Sequence, residues 1–210
     1  ANISDCGKIA QELSIENNWF QISTLKEPYR LEGKKTMGYE IAEQFDWELP
    51  DVILYPTGGG TGLIGIWKAF EEMERLGWID SRRPRMVAVQ SDSCNGITTA
   101  FTNNQDDSLA IDNGFTIANG LRVPKPYASK IILNVLRSSR GTALSINDVQ
   151  IEAALKEIAK KEGMLIAPEG AALWEAYKQL IDSNWILPYE KVLLLNTGSG
   201  YKYLENLKIS

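Results

Sequence analysis

Three consecutive glycines, Gly58-Gly59-Gly60, constrain this chain more than any other feature. They follow a short apolar run, VILYP at residues 52–56, which begins just after Pro50. They precede residues 61–77, where Leu63, Ile66, Trp67, Phe70 and Met73 recur at helical spacing. A short apolar run bounded by Pro and Gly reads as a buried strand. The whole is therefore a strand, a glycine loop and a helix. Successive glycines let a backbone take positive φ and approach a ligand closely. Their amides can then converge on one concavity, which suits an anion. The start of the following helix adds unpaired N–H groups and the positive end of its dipole. Thr57 and Thr61 contribute hydroxyls at either side of the glycines. The segment from Thr57 to Gly62 thus reads as a phosphate cradle. It carries neither the Gly-Lys-Ser/Thr of a Walker loop nor the G-x-G-x-x-G spacing of a dinucleotide fingerprint. A plain tight turn is the alternative reading of the same residues.

The remainder repeats the alternation. Residues 84–90, 142–146, 165–167 and 192–196 read as strands. Residues 128–137, 147–163 and 169–183 read as helices, with Asn147 and Asp148 offering caps to the middle one. The polar stretch 92–121 reads as an irregular excursion. The first twenty residues carry a helical pattern at Ile9, Leu13 and Ile15 with no strand before it, as if the chain entered the middle of a fold. Apolar strands alternating with amphipathic helices imply an α/β fold, a partial doubly wound parallel sheet in three layers, α-β-α. In such sheets ligands bind beyond the carboxyl ends of the strands.

Three further segments carry candidate chemistry. Asn196-Thr197-Gly198-Ser199-Gly200 closes the last strand, where Thr197 can lay a hydroxyl against a planar ligand; a surface turn is the alternative. Glu169 follows Pro168 at a helix start, where the dipole favours a carboxylate with or without a ligand. Lys34 and Lys35 follow Gly33 and open a helical run through Ile41. An activated lysine is desolvated or sits beside another cation. The charged context here favours solvated surface, as it does for the pairs Arg82–Arg83 and Lys160–Lys161.

Composition removes other classes. The chain has no histidine, so the usual general base and the commonest zinc ligand are missing. Two distant cysteines suggest neither a disulfide framework nor a metal centre. A net charge of -5 with scattered basic residues argues against nucleic acid. No apolar run approaches the roughly 20 residues needed to span a bilayer, and Ala1-Asn2-Ile3-Ser4-Asp5 does not open a signal peptide. A cytoplasmic setting is the expectation.

Taken together, LKEPYRLEGKKTMGYEIAEQFDWELPDVILYPTGGGTGLIGIWKAFEE, RPRMVAVQSDSC, GLRVPKP, LIAPEGAAL and VLLLNTGSGYKY resemble the threonine synthases. That family belongs to the tryptophan-synthase-β-like, fold-type-II enzymes that use pyridoxal 5'-phosphate (PLP). The resemblance runs through nearly all 210 residues and treats residues 1–210 as the C-terminal part of one such enzyme. It implies that Thr57, Gly58, Gly59, Gly60 and Thr61 bind the PLP phosphate and that Thr197 bonds the pyridine nitrogen. It places Glu169 near the ring, although the order here is Pro-Glu where relatives carry Glu-Pro. The family's Schiff-base lysine lies in a segment like Ser-Phe-Lys-Asp, followed by a Ser-Thr-Gly-Asn loop, and neither occurs here. The expectation is therefore a fragment without its catalytic lysine, related to an enzyme that converts O-phosphohomoserine to threonine and phosphate. Alternatives are a non-catalytic PLP- or phosphate-binding remnant, or half of a split serine/threonine dehydratase-like lyase. A homo-oligomer or a separate N-terminal half is the expected partner, since half a sheet leaves apolar faces uncovered.

Overall fold

A computed structural model describes residues 3–111 and 114–204. The first two residues of the N-terminal reading and residues 112–113 of the polar excursion lie outside the described residues. At the centre are four parallel strands. β1 (Val52–Pro56) lies between β2 (Arg85–Ser91) and β4 (Val192–Leu194), and β3 (Thr142–Ile146) flanks β2 on the outside. The order is β3-β2-β1-β4. The chain therefore steps outward from β1 to β3, then returns across the sheet to lay β4 on the other side of β1. That reversal makes a crevice between the loops leaving β1 and β4.

The strands explain the layers. Side chains alternate across a strand, so Ile53, Tyr55, Met86 and Ala88 face one helical layer while Val52, Leu54, Val87 and Val89 face the other. The first layer holds α3 (Thr36–Gln44), α4 (Thr61–Arg75) and α6 (Ser129–Ser138). The second holds α7 (Asp148–Glu162) and α8 (Pro168–Asp182). Burial on both faces is why the central strands read as unbroken apolar runs. The helical stripe read from Leu63, Ile66, Trp67, Phe70 and Met73 is wholly buried on α4. Asn147 forms the reciprocal capping box of α7 with Gln150, and Gly163 ends that helix with φ 65.

Several readings need correction. Residues 165–167 form no strand: Ile166 makes a single antiparallel bridge to Ser199, flanked by Ala167 N–H donating to Gly198 O and Gly200 N–H donating to Leu165 O. This segment pairs with the chain beyond β4 and so never joins the parallel ladder. The 92–121 stretch is not wholly irregular, since it contains α5 (Gly96–Thr102). Its first turn is capped from outside, by Gln90 Oε1 accepting from the N–H groups of Ile97 and Thr98 at 2.8 and 3.0 Å. Asn95 stands at its N-cap position but makes no side-chain cap bond. The run expected from Lys34 is split between α2 (Tyr29–Lys34) and α3, with Lys35 between them.

The basic pairs also divide. Lys34 and Arg82 are exposed, but Lys35 bonds Glu72 at 2.6 Å and Glu32 at 2.5 Å. Arg83 lies over the Trp67 ring at 4.8 Å and bonds Glu74. The helical pattern at the N-terminus is α1 (Ile3–Glu16), but its apolar Ile9, Leu13 and Ile15 are exposed rather than packed in the core. Trp19, Phe20 and Ile22 extend that exposed apolar stretch. No described helix is long and apolar enough to cross a membrane.

Candidate functional site

The loops leaving β1 and β4 meet at a cleft of about 880 Å³. Gly58 to Gly62 form one wall, and Thr197 and Gly198 stand on the neighbouring strand end. α1, the residues before α2, and the turn Asn119–Leu121 complete the lining.

The glycine loop is shaped by two requirements. Gly60 is the N-cap residue of α4 and has φ 78, a left-handed conformation costly to a side chain. Gly58 admits close backbone approach: a Cβ there would overlap the carbonyl oxygen of Gly120. Among the described residues, no group accepts from the N–H of Gly58, Gly59, Gly60 or Thr61. Free amides at the start of a fifteen-residue helix form an anion-binding concavity.

Thr57 behaves differently. It is fully buried; its N–H donates to Val89 O at 2.7 Å and its hydroxyl donates to Tyr55 O at 2.9 Å. Its carbonyl accepts from Gln90 Nε2 at 3.3 Å. Thr57 thus anchors the loop to the sheet, and its polar groups are engaged within the protein. Thr61 is half-buried at the first position of α4 and lines the cleft. Thr197 is exposed on the opposite wall. The sheet therefore brings the two predicted loops together, because β4 pairs with β1 in parallel and both end at the same edge.

Glu169, at the start of α8, is 6% exposed and lines the same cleft. Its Oε1 accepts from Gly120 N–H at 2.6 Å and from Tyr203 Oη at 2.7 Å. Gly120 is thereby pressed between Glu169 and Gly58, tying the Asn119–Leu121 turn to the glycine loop. Burial, then the bond to Glu169, holds the Tyr203 phenol protonated well above the usual tyrosine range. Neither Gly120 nor Tyr203 was singled out from the sequence, though both lie in segments that carry the family resemblance. Nothing in local spacing joins residues 120, 169 and 203; only the fold does.

The cleft is also cationic. Among the described residues, Lys8, Lys26, Arg30, Lys34, Lys125 and Lys202 line it, against one acidic side chain, Glu169. This stands out in a chain of net charge -5 and concentrates positive potential where the free amides converge. Lys35 is paired with Glu32 and Glu72 and is not part of this lining, whereas Lys34 is.

Comparisons with known proteins agree with this geometry. The family described as pyridoxal-phosphate dependent enzyme matches residues 1–198. The chain is 32% identical over 201 residues to a threonine synthase of Methanocaldococcus jannaschii, covering 96% of this chain and 49% of that protein. It is 33% identical over 197 residues to a threonine synthase of Methanosarcina acetivorans, covering 94% of this chain and 48% of that one. The chain thus spans about half the length of these relatives. Among solved structures, the processed form of threonine deaminase isoform 2 from Solanum lycopersicum superposes with TM-score 0.73 at 18% identity, covering 95% of this chain and 56% of that one. Maize serine racemase superposes with TM-score 0.70 at 20% identity, covering 95% and 58%. At that identity these likenesses speak for the fold alone, which is fold type II. By its match over nearly its whole length, the chain belongs to the pyridoxal-phosphate-dependent enzyme family.

Proposed function

We propose that this chain forms the phosphate-binding half of a PLP-dependent enzyme of threonine synthase type, acting on O-phosphohomoserine. One observation carries the reading: four consecutive amides, Gly58 to Thr61, are free at the start of α4 and open into a cationic cleft at the strand reversal. In this reading the amides hold the cofactor phosphate and Thr197, across the cleft, meets the pyridine nitrogen. Glu169 supports the wall through Gly120 and Tyr203. When bound, PLP supplies the electron sink that loss of phosphate from the substrate requires.

The cationic lining favours a phosphorylated amino acid over the unphosphorylated substrate of a dehydratase. A chain without histidine suits chemistry in which a lysine moves the protons. No segment like Ser-Phe-Lys-Asp occurs in residues 1–210, so the reading assigns the cofactor-holding lysine to protein outside them. A second copy or a separate N-terminal half is the proposed partner, and the exposed Trp19, Phe20 and Ile22 suit such a contact. The setting proposed is the cytoplasm.

The test is phosphate release from O-phosphohomoserine with PLP present. The isolated chain is expected to show none. Turnover by residues 1–210 alone would sink the idea that the chemical centre lies elsewhere.

A further inference from the structure

Tyr55 is the penultimate residue of β1, on the face toward α4. It is 9% exposed and lines the cleft. Its hydroxyl sits against the first turn of α4, because a Cβ built on Gly62 would overlap Tyr55 Oη. Glycine at 62 is what leaves room for it. No described residue bonds this hydroxyl, in contrast to Tyr39 and Tyr203, whose hydroxyls bond Glu72 and Glu169. The ring is buried, yet Tyr55 borders the cleft, so its unpartnered hydroxyl is open to a ligand there. Close to it, the amides opening α4 have no acceptor among the described residues.

We propose that Tyr55 is a ligand-binding residue whose hydroxyl donates to the phosphate monoester held at the start of α4. This rests on the reading of the cleft as a phosphate site and adds to it a neutral side-chain donor from within β1. Burial raises the phenol above the ordinary tyrosine range, so it stays a proton donor at any working pH. A neutral donor suits a dianion that already faces several lysines: it adds a directed hydrogen bond without another buried charge. It also fixes depth, since the hydroxyl is carried by a rigid central strand rather than by a loop.

The test uses calorimetric titration of the full chain with pyridoxine 5'-phosphate and with pyridoxine. Neither has the aldehyde that reacts with surface lysines, and they differ in the phosphate alone. Wild type is expected to prefer the phosphorylated compound. Tyr55→Phe keeps the ring against Gly62 and removes only the hydroxyl. It is expected to weaken the phosphorylated ligand about tenfold or more, as for a lost bond to a charged group, and to leave pyridoxine unchanged. The melting curve of the variant checks that it is folded; Tyr55→Leu provides a second hydroxyl-free protein should Phe fail. If wild type prefers the phosphorylated ligand and the hydroxyl-free variants keep that preference in full, the role of Tyr55 is refuted while the phosphate site stands. If wild type shows no preference, both readings fall together.

Discussion

Replacing Glu169 by alanine tests how the cleft wall is held. The carboxylate is 6% exposed, and a single oxygen, Oε1, accepts from Gly120 N–H at 2.6 Å and from Tyr203 Oη at 2.7 Å. Hydrogen bonds to a charged acceptor contribute about 1.5–3 kcal/mol each, and an orphaned buried donor adds its own cost. Alanine removes both bonds, so a loss of about 3–5 kcal/mol is expected. That is a large share of the roughly 5–15 kcal/mol by which a domain is stable. Glutamine keeps an oxygen acceptor and gives up only the charge, at about 1 kcal/mol. Tyr203→Phe removes one of these bonds, at about 1.5–3 kcal/mol. Because both bonds end on the same oxygen, Tyr203→Phe should cost almost nothing further once Glu169 is alanine. Urea unfolding followed by circular dichroism, with a common slope, measures each value. A loss below about 0.5 kcal/mol for alanine, or simple additivity of the pair, would refute the three-residue link.

Gly60→Ala must place a Cβ at φ 78 and against the Ile132 side chain; a loss of about 2–4 kcal/mol is expected, with loss of the preference for phosphorylated ligand in the same titrations. Phe70→Ala empties a fully buried site on α4 and should cost about 3–5 kcal/mol in urea unfolding. Glu72 is pulled down to about 2 by bonds from Lys35 and then Lys68. A depressed carboxylate stabilises above its unfolded value of 4.5, and that contribution fades as pH falls toward the folded value. Thermal midpoints should therefore fall over that acid window, and less steeply for Glu72→Gln; identical slopes would show that the Lys35–Glu72–Lys68 group contributes nothing to folding.

Much of the frame was legible in the sequence. β1 and β3 run over the residues read as strands; β1, buried along its whole length and bounded by Pro and Gly, leaves an unbroken apolar run, while β3 is only partly buried and carries Thr142 and Ser145. α7 is announced by its own caps, Asn147 and Gly163. α5 was hidden in a polar stretch: Asn95 at its N-cap makes no cap bond, and its first amides bond Gln90 on β2 instead. The 165–167 segment looked like a strand since it is apolar and short, but its partner lies beyond β4. Lys35 and Arg83 looked solvated because ion pairs to Glu72 and Glu74 are not visible in a run of charges.

For the site, the sequence by itself determined the strand, glycine loop and helix around Gly58–Gly60, because these follow one another locally. It also determined the family, through motifs spread along the chain. Only the tertiary structure decided what surrounds that loop. β4 returns to pair with β1, which brings Thr197 to the same cleft as Gly59 and Thr61. The fold also brings Glu169, Gly120 and Tyr203 together and gathers six basic side chains from separate segments onto one cleft. It likewise assigned Thr57 to the sheet and left Tyr55 with its hydroxyl at the helix start. Contacts between residues tens of positions apart depend on strand order and register, and no local pattern records either.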